Sequence, residues 1–153
     1  KEVIPELRSL YSEIAERPVV KYYEGPQGIR TILNDVLDST EKLPQKEYSV
    51  YSSSNIRPYL YQKDAFPNFT AERIKRKIFV RTIAIGEGGK ESGLDERRWL
   101  TKNGAPTYTL IYANKVAMIS IDKKEHLRGV IIEDQYLFET QELLFNAVWK
   151  TLE

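Results

Sequence analysis

The chain has no cysteine, one histidine, one methionine and two tryptophans among its 153 residues. Without cysteine there is no disulfide scaffold, no thiolate metal site and no cysteine nucleophile, and the composition suits a reducing cytoplasm. His126 is the single imidazole. Ser-His-Asp and Cys-His arrangements, and a histidine-rich zinc site, therefore have almost nothing to be built from. A charge excess is lacking as well. Lys and Arg number 23 against 22 Asp and Glu, for a formal net charge of +1. The chain as a whole does not carry the basic surplus usual in a nucleic-acid binder. No apolar run approaches the roughly 20 residues that span a bilayer, and no secretory signal pattern is visible. Asn68-Phe69-Thr70 spells a glycosylation sequon, which has no use without such a signal. These absences point to a cytoplasmic protein without membrane segment, metal site or cofactor.

What is present is an ordinary globular mix, 41% hydrophobic and 29% charged, long enough for one domain with a sizeable core. Residues 1–17 read as a helix: Val3, Leu7, Leu10 and Ile14 are spaced 4, 3 and 4 apart in a heptad-like stripe. The stripe either packs on its own domain or pairs with a second copy as a linker coiled coil. Residues 18–153 form the domain proper. Pro18 to Glu24 is a short strand. Ile29, Ile32, Leu33, Val36 and Leu37 then give a helical face. Tyr48 to Ser53 reads as a strand, followed by a cluster of helix-capping residues, Ser52 to Asn55. A helix from Ile56 to Lys77 is broken at Pro58 and Pro67, and Ile78 to Ile85 is a third strand. Strand, helix, strand, helix, strand suggests a parallel sheet.

The glycine-rich segment Gly86 to Gly93 is the one expected mobile loop and the one candidate internal boundary. Tyr108–Tyr112, Val116–Ile121 and Leu127–Ile132 follow as apolar runs. Their short links favour antiparallel hairpins, the second of them carrying His126. Asp134 is placed to cap a last helix whose buried stripe reads Leu137, Leu144, Phe145, Val148 and Trp149. The fold class is α/β, a mixed sheet flanked by helices.

Several groups carry potential chemistry. The acid pairs Asp35/Asp38 and Glu133/Asp134 read as structural. The basic run Arg73-Ile74-Lys75-Arg76-Lys77 is either a nucleic-acid contact or a helix C-terminal turn with favourable charges. Ligands of α/β folds bind beyond the ends of parallel strands, where Tyr23 and Glu24, then Ser52 and Ser53, collect. Arg81, a charge inside a strand, needs either a ligand or a carboxylate such as Glu24 or Glu133. Tyr23, Glu24, Ser52, Ser53 and Arg81 are thus the candidate ligand residues.

Ala113 to Ser120 runs Ala-x-Lys-x-x-x-x-Ser. It is similar to the His-x-Lys-x-x-x-x-Asp frame of the phospholipase D superfamily, with Ala113 in place of the nucleophile and Ser120 in place of the acid. More widely, the chain resembles TrmB-like transcriptional regulators. The resemblance is carried by Arg17 to Gly25, Ile29-Arg30-Thr31-Ile32-Leu33, Glu96-Arg97-Arg98-Trp99-Leu100, Ile111 to Ala117 and Gly129-Val130-Ile131-Ile132-Glu133. It implies a phospholipase-D-like C-terminal regulatory domain, preceded in the full protein by a linker helix and a winged-helix DNA-binding domain. The start at Lys1 within a helical pattern agrees with that.

The expected function is dimerisation, through Val3, Leu7, Leu10 and Ile14, and sensing of a small-molecule effector, with DNA contacted only by the upstream domain. Sugar-binding archaeal members carry a further C-terminal domain. This chain ends at its last helix, so sugar specificity is not carried over. Of the catalytic frame only Lys115 transfers, in a structural role. The alternative is a divergent phosphodiesterase or nuclease of the phospholipase D class.

Overall fold

The computed structural model of the protein describes residues 17–152. The stripe of Val3, Leu7, Leu10 and Ile14, and with it the linker helix, lies outside the described residues. Seven strands form one mixed sheet in the order β1-β7-β6-β5-β2-β3-β4. They are β1 (Val19–Glu24), β2 (Glu47–Ser53), β3 (Phe79–Ile85), β4 (Asp95–Thr101), β5 (Thr107–Tyr112), β6 (Lys115–Ile121) and β7 (Leu127–Glu133). Only β2, β3 and β4 run parallel to one another; β1, β5, β6 and β7 pair antiparallel with their neighbours, as does β5 with β2. The sheet is mixed, as expected. The parallel part is narrower than strand–helix alternation suggests, because β1 crosses to the far edge and pairs with β7 rather than β2.

One face of the sheet carries helix α1 (Gly25–Glu41), the short α2 (Arg57–Leu60) and α3 (Phe69–Lys75). Pro26 sits in the first turn of α1, where its missing N–H is harmless. The predicted stripe of Ile29, Ile32, Leu33, Val36 and Leu37 is fully buried. Each such side chain contributes about 1.5–3 kcal/mol by leaving water. Gly129 lets α1 lie close to β7: a Cβ there would stand 2.5 Å from Ile32 Cδ1 and 3.1 Å from the Met118 carbonyl.

The opposite face carries helix α4 (Gln135–Thr151). It is capped by the Asp134 carboxylate, which accepts from Leu137 N at 2.8 Å. Phe145 and Trp149 pack there with Ile83 and Ile111. Leu137 and Leu144, expected in that stripe, are instead 45% and 48% exposed, beside Tyr136 at 76% and Leu143 at 68%. The apolar arc of α4 is wider than the small surface the sheet offers it.

Three further expectations change. Pro58 does not break a helix; it lies in the first turn of α2, and the break is the irregular stretch around Pro67 that separates α2 from α3. Ser52 to Asn55 do not cap α2 through a side chain. The Ser53 hydroxyl instead accepts from Asn55 N and Ala105 N and donates to the Ala105 carbonyl, tying β2 to the chain before β5. The glycine loop is no internal boundary, because β3 and β4 on either side of it pair in one sheet. Strand β4 itself escapes the sequence patterns. Its Asp-Glu-Arg-Arg start looks like a loop, but charge on an edge strand is how sheets discourage further pairing.

Candidate functional site

The sequence frame begins at the tight turn between β5 and β6. Tyr112 pairs with Lys115, and Ala113 and Asn114 alone bridge the strands with φ of 43° and 59°. Two left-handed residues in a two-residue hairpin match the twist of the strands. Asn, Asp and His adopt that backbone more readily than Ala, for which it costs about 1–2 kcal/mol. The turn therefore keeps a conformation that would suit a histidine better than the alanine it holds. Clefts of about 760 Å³ and about 580 Å³ lie on either side of it, both lined by Ala113 and Asn114.

Lys115 points into helix α1. Its Nζ donates to both Asp35 carboxylate oxygens, at 3.2 and 3.1 Å, and to Ser39 Oγ at 3.1 Å. Glu133 stands 3.8 Å away. The Tyr112 hydroxyl donates to the same Asp35 carboxylate at 2.7 Å. Burial, then that carboxylate, pushes the Tyr112 phenol far above its ordinary range, so it stays a donor. Asp35 and Ser39, one turn apart on α1, thus grip the lysine. The other end of the frame does not join them. Ser120 lies five positions along β6, about 17 Å by strand rise and on the opposite face. There its hydroxyl accepts from Arg128 Nε at 3.3 Å.

The larger cleft also holds Arg81 and Glu47. Arg81 Nε lies 3.1 Å from the Glu47 carboxylate but off-line for a hydrogen bond, so the pair is ionic. Its NH2 donates to Ser49 Oγ at 3.2 Å. The guanidinium sits over the rings of Phe145 and Trp149, 5.2 and 5.6 Å from their centres. Neither carboxylate expected from the sequence is the partner. Glu133 pairs with Lys21 and Lys115, and Glu24 is exposed at the end of β1. Glu47 was overlooked because the first residue of a strand gives no sign of which neighbouring strand it will face.

The five candidate ligand residues are spread over the molecule. Tyr23 packs against the core beside α1. Glu24 lines a separate cleft with His126. β7, β6 and β5 intervene between β1 and β2, so Tyr23 and Glu24 stand four strand spacings, about 19 Å, from Ser52 and Ser53. Ser52 shares its sheet face with Val50 and the larger core, whereas Arg81 faces α4. His126 lies in the exposed β6–β7 turn, with its ring nitrogen 3.2 Å from Asp122. Backbone N–H groups of His126 and Lys124 hold the Asp122 carboxyl below its ordinary range.

The basic run is largely consumed internally. Arg73, 2% exposed, donates to the carbonyls of Ile78, Gly93 and Leu94 at 2.8–2.9 Å. Arg76 pairs with Asp38, Glu41 and Glu72. Among the described residues no group of three or more His, Cys, Asp or Glu could hold a metal ion. Among the same residues no helix is long and apolar enough to cross a membrane.

No family model matches the chain. No curated protein matches it. Solved structures do. TrmBL2, an archaeal chromatin protein whose structure shows a novel mode of DNA binding, superposes with a TM-score of 0.55 at 17% identity, over 99% of this chain and 61% of its own. This chain thus spans about three fifths of that protein's length. NucT from Helicobacter pylori gives a TM-score of 0.54 at 13% identity, over 89% of this chain and 98% of its own. The phospholipase D family member Nuc from Salmonella typhimurium gives 0.50 at 16%, over 90% and 97%. The seven-stranded mixed sheet with helices on both faces is the phospholipase-D-like fold, shared with the TrmB-like protein TrmBL2.

Proposed function

We propose that this is a non-catalytic regulatory domain, the phospholipase-D-like part of a TrmB-like transcriptional regulator acting in the cytoplasm. The observation that carries the reading is the state of the frame. Ala113 offers no nucleophile, and Lys115 is bound to Asp35 and Ser39 rather than free in a cleft. A lysine that stabilises a phosphoryl group must face the substrate, whereas this one stitches β6 to α1. The clefts beside the turn remain, and the larger, with Arg81 and Glu47, is where a small effector would bind. DNA would be contacted through a winged-helix domain outside this chain.

The exposed apolar arc of α4, with Tyr136, Leu137, Leu143 and Leu144, supports a homodimer formed by the domain together with the stripe of Val3, Leu7, Leu10 and Ile14. Such an arc is more than scattered surface leucines would give. Incubation with bis(p-nitrophenyl) phosphate should give no turnover above buffer, and light scattering should give a dimer mass. Turnover that disappears in Lys115→Ala would instead establish the second reading, a divergent phosphodiesterase, which the likeness to Nuc favours. A strict monomer at high concentration would remove the dimer.

A further inference from the structure

The end of the sheet away from the Ala113–Asn114 turn holds two arginines that no carboxylate among the described residues pairs with. Arg57 begins α2, just past β2; Arg97 lies on β4, beside Thr82 of β3. Both reach the glycine loop from the same face. A Cβ on Gly89 would stand 2.7 Å from Arg97 NH1 and 2.9 Å from Arg57 NH1, so the two guanidiniums meet the loop at one point. Gly89, at φ 77°, leaves the room they occupy.

No carboxylate among the described residues pairs with either arginine. Nε and NH1 of Arg97 are buried without any hydrogen-bond partner. Its charge is disfavoured first by burial and then by Arg57. Asp95, whose charge partly offsets these, is already held by the backbone N–H groups of Ser92 and Gly93. Arg57 has only Ser52 Oγ at 3.4 Å and the Glu87 carbonyl at 3.5 Å, both at the limit of a hydrogen bond.

Two converging guanidiniums with unmet donors, partly out of water, are an arrangement that an anion would complete. Ser52, nearly fully buried, adds a hydroxyl to it. The loop above is tied by Gly86 N–H to the Thr101 carbonyl at 3.0 Å and by Trp99 Nε1 to the Gly88 carbonyl at 3.1 Å, and Arg57 touches Glu87. Its glycines at 86, 88 and 89 all take positive φ, a backbone glycine adopts without strain, which lets the loop pass close over both guanidiniums.

We propose that Arg57, Arg97 and Ser52, beneath the glycine loop 86–89, form a binding site for a small phosphate-type oxyanion, either inorganic phosphate or the phosphate group of a phosphorylated metabolite. A doubly charged phosphate matches the two positive charges, and its oxygens take the fork-shaped donor pairs that guanidiniums present. The site lies at the opposite end of the sheet from the Ala113–Asn114 clefts and stands whether or not the domain is a regulator.

The test is calorimetric titration of the chain with inorganic phosphate, glycerol phosphate and a short DNA duplex, in chloride buffer. Saturable binding of phosphate or glycerol phosphate is expected, the tighter of the two identifying the source. Arg57→Met and Arg97→Met should each weaken it about tenfold or more, the worth of a charge-assisted hydrogen bond. Arg128→Met, on β7 and four strands away from β3, should leave it unchanged. Circular dichroism checks that each variant is folded, and Gly89→Ala, whose methyl group would push against both guanidiniums, gives a further weakening without removing a charge. Absence of saturable phosphate binding below about 10 mM, an affinity of only a few kcal/mol, would overturn the proposal. So would binding that survives both arginine variants, or variants that lose only DNA binding.

Discussion

At the end of the sheet where β5 turns into β6, cations meet anions: Lys115 has Asp35 and Glu133, Lys21 has Glu133, and nearby Arg81 has Glu47. At the end where β3 passes through the glycine loop toward β4, Arg57 and Arg97 crowd together, and no carboxylate among the described residues pairs with either. The first arrangement is closed, since each charge is used to hold one element to another. The second is open, and its free energy is lowered by whatever anion arrives. The Ala113–Lys115 end is thus the better-neutralised part of the molecule, while the unsatisfied electrostatics lie at the opposite end of the sheet.

Arg73 sharpens this contrast most. It is more deeply buried than Arg97 and also lacks a carboxylate, yet three carbonyls occupy its donors. Arg73→Met should destabilise the fold by at least about 3 kcal/mol, because it strands those carbonyls. Urea denaturation measures this directly, as a lowered midpoint at unchanged slope. A smaller loss, about 2 kcal/mol, is expected for Asp35→Ala, which strips Lys115 and Tyr112 of their shared acceptor; partial exposure of the pair keeps it below the cost of a fully buried one. A denaturation curve matching the unmodified protein would mean that the Lys115 end is not closed after all. Arg97→Met should have the least effect, within about 1 kcal/mol and toward greater stability in phosphate-free buffer, since it removes a desolvated charge repelled by its neighbour. A large loss of stability there would place Arg97 in the same class as Arg73.

Much of the architecture was legible because periodicity is local. The 3.6-residue spacing of Ile29, Ile32, Leu33, Val36 and Leu37 marked both α1 and its buried face. The short link at Ala113-Asn114 marked a hairpin. Asp134 marked the start of α4. Where local pattern and tertiary context disagree, tertiary context wins. β4 is rich in charge because it is an edge. Leu137 and Leu144 continue an apolar stripe beyond the surface the sheet can cover. The site was less legible than the fold. Lys115 was read as structural, but Asp35 and Ser39, which hold it, are some eighty residues away in the chain. Arg57 and Arg97 drew no notice as a pair, because forty residues of chain separate two ordinary-looking arginines.

The sequence by itself determined most of the strands and both long helices, which face of α1 is inward, and that an alanine rather than a histidine stands two residues before Lys115. All of these are set by residue identity and short-range spacing. The tertiary structure alone decided strand order, and with it which charges meet. Placing β7, β6 and β5 between β1 and β2 parts Glu24 from Ser52, and pairing β3 with β4 brings Arg97 to Arg57. Pairing between distant strands is a long-range choice made by burial of whole faces. A charge therefore finds its partner, or is left without one, only once the sheet has closed.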